Sequence, residues 1–134
     1  MRALALLGVL VVGLGAGCAA SGDPAAVVAE FYTRVADGDG TGACALMTPG
    51  AVEAVETRAD ARCADAVLEG EVGEELLARS AGEVTQVRTA GAQAQVRTAQ
   101  DVVFLSASGG TWLLAAAACD ARDDGPYDCA LEAS

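Results

Sequence analysis

Gln86-Val87-Arg88-Thr89-Ala90 is spelled a second time as Gln95-Val96-Arg97-Thr98-Ala99, with Gly91-Ala92 at the centre of the repeat. A Gly-X pair between two polar/β-branched words predicts a hairpin with a two-residue turn. In that register Val87 faces Val96 and Arg88 faces Gln95. Side chains alternate along a strand, so Thr85, Val87, Thr89, Ala94, Val96 and Thr98 are expected to share the core face. Gln86, Arg88, Gln93, Gln95 and Arg97 share the other, toward water or a partner. Downstream, Val102 to Ser106 reads as a third strand. Gly109-Gly110 then turns the chain into a fourth, Thr111 to Ala118, with Trp112, Leu113 and Leu114. Asp120 to Asp128 reads as an acidic loop, and Tyr127 to Leu131 as a last short strand beside the fourth.

Upstream the period is helical. Asp23-Pro24 is a cap followed by a proline suited to the first turn. Val27, Phe31 and Val35 then recur at spacing four, flanked by Val28 and Tyr32. Asp37-Gly38-Asp39-Gly40 ends this helix. Its acids resemble the start of a calcium loop, but that loop needs a carboxylate at the twelfth position, where this chain has Thr48. A turn that caps the next helix is the better reading. A second helix is expected over Gly42 to Met47, with Cys44 and Leu46. Thr48-Pro49 restarts helix through Val52 and Val55, and a further piece carries Cys63, Ala66, Val67 and Leu68, with Gly70 closing it. Glu71 to Gly82 reads as a short helix or an ordered loop. Helices followed by an antiparallel meander make an α+β domain.

The first residues have another use. Arg2 precedes the apolar run Ala3 to Leu14, which ends in Leu14-Gly15-Ala16-Gly17-Cys18. A positive start, a short apolar stretch and small residues before a cleavage point are the layout of a secretory signal. The run is shorter than the ~20 apolar residues of a permanent span. A cysteine directly after the small residues resembles the bacterial lipobox, although Leu14 stands one place earlier than in that pattern. The resemblance implies a cleaved signal peptide at 1–17, an acylated Cys18, a tether at 18–22 and a domain at 23–134. It places the domain on the extracytoplasmic face of the cell membrane. The alternatives are simple secretion, with cleavage near Ala19 or Ala20, and an uncleaved anchor.

Composition narrows the chemistry. The 134 residues hold 19 acids and 8 basic residues, with no His, for a net charge of -11; every basic residue is Arg. Without Arg2 the balance is 19 acids against 7 Arg. Such a chain repels nucleic-acid phosphates and anionic headgroups, so nucleic acid is not an expected partner, and contact with a membrane is expected through acyl chains. Without His or Lys, a Ser-His or Cys-His nucleophile and a lysine Schiff base are unavailable. Setting Cys18 aside leaves Cys44, Cys63, Cys119 and Cys129. An even number in an exported chain reads as two disulfides. Three pairings exist, and locality favours Cys44–Cys63 with Cys119–Cys129. A zinc site lacks both histidine and a C-x-x-C spacing, so neither a metal nor a cofactor is expected.

Phe31-Tyr32, a Gly-Asp turn, Ala43-Cys44, Pro49 and Cys63 resemble the helical half of small actinobacterial lipoproteins of the nuclear-transport-factor-2-like superfamily. So does the ending: Val103-Phe104-Leu105, Gly109-Gly110, Trp112-Leu113-Leu114, Cys119 and Pro126-Tyr127-Asp128-Cys129. The likeness covers about Asp23 to Leu131. It implies a cystatin-like or nuclear-transport-factor-2-like cone, in which a curved antiparallel sheet wraps the helices and leaves a pocket at its open end. Phe31, Tyr32, Val35, Leu46, Phe104, Trp112 and Leu114 are then expected to line that pocket or the core around it. Some members of the superfamily are isomerases with a pocket carboxylate as base, and many are binding or dimerising domains. The expectation here is a non-catalytic domain that binds a partner protein, a small apolar ligand or a second copy through the sheet. The alternative is an isomerase-like enzyme with Tyr32 as donor and Asp37, Asp39 or Asp101 as base. Asp120, Asp123, Asp124 and Asp128 are oxygen donors of the type calcium takes, but a solvated acidic hairpin is the simpler reading.

Overall fold

The computed structural model describes residues 20–133; Cys18, the expected signal peptide and the first two residues of the expected tether lie outside the described residues. Five helices precede five strands: α1 (Pro24–Ala36), α2 (Gly40–Ala45), α3 (Pro49–Ala59), α4 (Cys63–Ala66), α5 (Gly70–Arg79), β1 (Val84–Ala90), β2 (Gln93–Thr98), β3 (Val102–Ser108), β4 (Thr111–Arg122) and β5 (Gly125–Glu132). The fold is α+β, with one open antiparallel sheet in the order β1-β2-β3-β4-β5.

Local chemistry explains most boundaries. The Asp23 carboxylate accepts the Ala25 N–H at 2.9 Å, and Pro24 occupies the first turn of α1. Thr48 caps α3 by accepting the Ala51 N–H at 3.2 Å, again with proline next. α2 starts two residues earlier than expected because Asp39, accepting from Gly42 N–H, is its cap. It also ends earlier. Leu46 and Met47 leave the helix to meet β4, with Leu114 donating to the Leu46 carbonyl at 2.8 Å and Thr48 donating to the Leu114 carbonyl at 2.9 Å. The stretch after Gly70 is a ten-residue helix, α5, whose Val72, Gly73 and Leu76 are buried. Gly70 opens that helix rather than closing the one before it.

The repeated words pair as read. Val87 lies opposite Val96 and Arg88 opposite Gln95, and Ala90 with Gln93 closes the turn. Gly91 has φ 58°, a value glycine adopts without steric cost, at the first central position of that turn. Burial does not follow the expectation for both strands. Ala94, Val96 and Thr98 of β2 are buried, whereas all seven residues of β1 are exposed, Val87 at 40 %. β1 is an edge strand packed, among the helices, mainly against α1, whereas β5, the other edge, lies against α3 and α5 and buries Leu131. The acidic segment is also not a loop. β4 and β5 continue through it as a hairpin, with Asp120 opposite Asp128.

One apolar core lies between the helices and the sheet. Phe31, Tyr32 and Val35 of α1, Val55 of α3, Leu76 of α5, and Val96, Val103, Leu105, Trp112 and Leu114 of the strands belong to it. Leu46 is half-buried at its margin. Phe104 departs from the expectation. It alternates with Val103 and Leu105, so it points away from the helices. There it forms a second cluster with Val102, Ala116, Cys119, Cys129 and Tyr127, and its ring meets Tyr127 edge-on at 5.1 Å between centroids. Disulfides join Cys44 to Cys63 and Cys119 to Cys129. The first links α2 to α4; the second joins directly opposed residues of β4 and β5.

α2 packs against α4 closely enough that a Cβ on Gly40 would lie 1.9 Å from the Ala64 carbonyl oxygen. Backbone cannot yield as a flexible side chain can, so Gly40→Ala is expected to cost about 1–3 kcal/mol. Gly125, with nothing within 4 Å of its added Cβ, should tolerate alanine with a change under about 0.5 kcal/mol. Thermal unfolding of the two variants checks the contrast.

Candidate functional site

The densest polar constellation forms around Asp101, in the connection from β2 to β3. Thr98 builds the turn. Its hydroxyl accepts the Gln100 N–H at 3.1 Å and the Asp101 N–H at 2.8 Å, and its own N–H donates to the Asp101 carbonyl at 2.9 Å. This local bonding by a threonine hydroxyl is the usual turn chemistry of the residue. It aims the Asp101 side chain inward, where the carboxylate is fully buried.

Each oxygen of that carboxylate has two donors. Oδ1 accepts the Val102 N–H at 2.7 Å and the Cys119 N–H at 2.8 Å. Oδ2 accepts the Ala118 N–H at 3.0 Å and the Tyr32 hydroxyl. Ala118 is left-handed, φ 53°, a conformation that costs an ordinary residue about 1–2 kcal/mol. There the backbone turns two successive N–H groups, of Ala118 and Cys119, onto one anion. Arg79 completes the shell from α5, its Nη1 3.6 Å from Oδ1. The guanidinium also binds both oxygens of Asp120, at 3.2 and 3.0 Å, and reaches Glu75 and the Gln100 carbonyl. One carboxylate thus joins α1, α5, the β2–β3 turn and β4.

The electrostatics follow from this geometry. Burial, and then the adjacent Asp101 charge, hold the Tyr32 phenol well above its ordinary pKa, so it stays a neutral donor. The hydrogen bonds from Arg79 hold Asp120 below the usual carboxylate range. The Asp101 carboxylate has its acceptor positions occupied. A general base needs a free lone pair directed at a substrate proton, and here each oxygen already accepts from two donors.

Of the residues expected to form a site, the structure brings Tyr32 and Asp101 together and engages Asp39 elsewhere, in the α2 cap and an ion pair with Arg34 at 2.6 Å. Phe31, Tyr32, Val35, Trp112 and Leu114 are each at most 6 % exposed and fill the core. Tyr32 also borders a shallow cleft of about 390 Å³ with Val28, Ser80, Glu83 and Thr98. On the far side of the sheet, Phe104, Ala116, Pro126 and Tyr127 line an apolar cleft of about 340 Å³. Among the described residues no group of three or more acids or cysteines is placed to hold a metal. In the acidic hairpin, Asp120 is bound to Arg79 and Asp124 lies 3.9 Å from Arg122. Sequence reasoning missed Arg79 and Thr98. The spacing Thr98-x-x-Asp101 is a turn signature that could have found the second; nothing local singles out Arg79. Compared with known protein families, curated proteins and solved structures, the chain matches none.

Asp101→Asn keeps the shape but turns an amide NH₂ toward groups that already donate. Removing the charge also takes one of three carboxylates from Arg79, which keeps Asp120 and Glu75. The expected loss is about 3–5 kcal/mol, against about 1.5–3 kcal/mol for Tyr32→Phe, which deletes a single charge-assisted bond. Urea unfolding of both variants should preserve that order. A second measurement concerns pH. The Gly42 N–H, and after it Arg34, hold the Asp39 carboxyl below its ordinary range. A lowered folded value gives stability that is complete above the unfolded carboxylate value, about 3.9, and is lost as pH falls through the folded value. The Tm of Asp39→Asn should therefore lie below wild type at neutral pH, with the gap closing in acid.

Proposed function

We propose that this chain is a membrane-anchored envelope lipoprotein whose extracytoplasmic domain, a nuclear-transport-factor-2-like cone, binds a partner and carries out no chemistry of its own. The observation that carries this reading is the occupied interior. The aromatic and aliphatic residues between helices and sheet pack against one another. The buried acid among them is saturated by four donors. Recognition then falls to the outer surfaces: the uncovered face of the sheet and the free edge of β1.

Further support comes from the disulfides, which belong to exported chains, and from the order of helices before an antiparallel meander. For a partner protein, the Gln/Arg side of the hairpin offers donors and acceptors beside the half-buried Phe104 and Tyr127. For a small apolar ligand, the cleft lined by those same two rings is the available place. The isomerase reading would require Asp101 to give up a backbone donor in order to reach a substrate.

The anchor is tested at Cys18. Wild type should sediment with membranes and incorporate alkyne-tagged palmitate, and Cys18→Ser should lose the label and shift to the soluble fraction. A wild-type chain that is unlabelled and soluble would sink the lipoprotein reading.

A further inference from the structure

We infer that the free edge of β1 pairs with β1 of a second copy of this chain, in an antiparallel two-fold register centred on Val87. The inference deepens the partner-binding reading above and rests on it. Its warrant is that the chain already contains one instance of the contact. Gln86-Val87-Arg88 lies antiparallel to Gln95-Val96-Arg97, with Gln86 opposite Arg97, Val87 opposite Val96 and Arg88 opposite Gln95. A second copy on the other edge would set the same side-chain types opposite one another, with Val87 in a hydrogen-bonded pair where Val87–Val96 is a non-hydrogen-bonded one. Val87 meets the partner's Val87, and Gln86 meets the partner's Arg88, with the reverse pair completing the symmetry. Centring the dyad on Arg88 would set like charges face to face.

Backbone geometry permits the pairing. Ala90 and Gln93 close a two-residue turn, and in such a hairpin the closing pair exchanges both bonds, with pairs alternating from there. Val87, three residues on, therefore directs its N–H and C=O away from β2, toward the open edge. Charge also permits it. Of the 19 acids in the chain none falls between Val84 and Gln100, a stretch that carries Arg88 and Arg97. Elsewhere two copies with a net charge of -11 repel one another.

The two edges of the sheet are treated differently. β5 carries Pro126, Asp128 and Glu132, and Arg58 donates to its Ala130 carbonyl at 2.8 Å. These are devices that blunt an edge. β1 has neither proline nor acid, and every residue along it is exposed. Its bulge, between Val84 and Gln86, lies at the start of the strand and leaves Gln86 to Ala90 in regular register, and a regular exposed edge is a template for another strand.

The test is cross-linking of the full chain in cells under oxidising conditions. Paired residues that exchange both bonds stand about 5.5 Å apart at Cα, within reach of a disulfide. Val87→Cys should give a reducible band at twice the chain mass as its main species, and Glu132→Cys on the opposite edge should stay monomeric. Val87→Pro, which removes an outward N–H while sparing the bonds to β2, should lose the dimer seen by native mass spectrometry and keep its thermal transition. A Val87→Cys chain that remains monomeric in both membrane and soluble fractions overturns the inference. So do bands at other masses, although those leave the partner-binding reading standing. Acylation of Cys18, read on the same samples, separates failure of the anchor from failure of the pairing.

Discussion

The Asp101 carboxylate is the constraint on which the arrangement of layers depends. Burying a charge of this size costs several kcal/mol after relaxation. The cost is offset only if the surroundings converge: Val102, Ala118 and Cys119 through their backbone, Tyr32 through its hydroxyl, and Arg79 through its charge. Those groups come from α1, α5, β3 and β4. A shift of any one of them leaves a buried anion under-solvated, so the site specifies how helices sit on sheet more sharply than apolar packing would. Left-handed Ala118 is the local cost of this arrangement, and it sits where two N–H groups must face one point.

The disulfides reinforce the same region. Cys119 donates its N–H to Asp101 and is bonded through its sulfur to Cys129, so the bridge holds in place the strand that supplies the cradle. Cys44–Cys63 does the equivalent for the short helices α2 and α4, neither of which is long enough to be stable alone. Bridges spanning 19 and 10 residues each restrict the unfolded chain, worth about 2–4 kcal/mol by the loop-entropy argument. That is a large share of the margin for a domain of this size. The filled core adds the apolar part. Between them, these terms use the buried polar and aromatic residues for cohesion.

That surface is asymmetric. Acids crowd the β4–β5 hairpin, where Asp120 stands opposite Asp128 and Arg79 relieves part of the repulsion. The β1–β2 hairpin is free of acids. Its outer face carries Arg97, which donates to the Tyr127 hydroxyl and ties the aromatic cluster to the hairpin. The two ends of the sheet therefore differ in charge as well as in edge structure.

The sequence by itself determined the features that are local. The Gly91-Ala92 turn set the register of Val87 on Val96, because a two-residue loop leaves no freedom in which residues oppose each other. Asp23-Pro24 and Thr48-Pro49 placed two helix starts through bonds made within three residues, and short separations placed the disulfides. Tertiary structure decided the rest. Thr85, Val87 and Thr89 have the pattern of a core face but lie exposed, because burial depends on what packs over the face, and the helices cover β1 less than they cover β5. Phe104 looks like a core aromatic in an apolar run; strand alternation between Val103 and Leu105 put it on the other face. Asp101 reads as an ordinary connection residue beside a turn. Its partners Tyr32, Ala118 and Arg79 lie far from it along the chain, and no local pattern records that they converge.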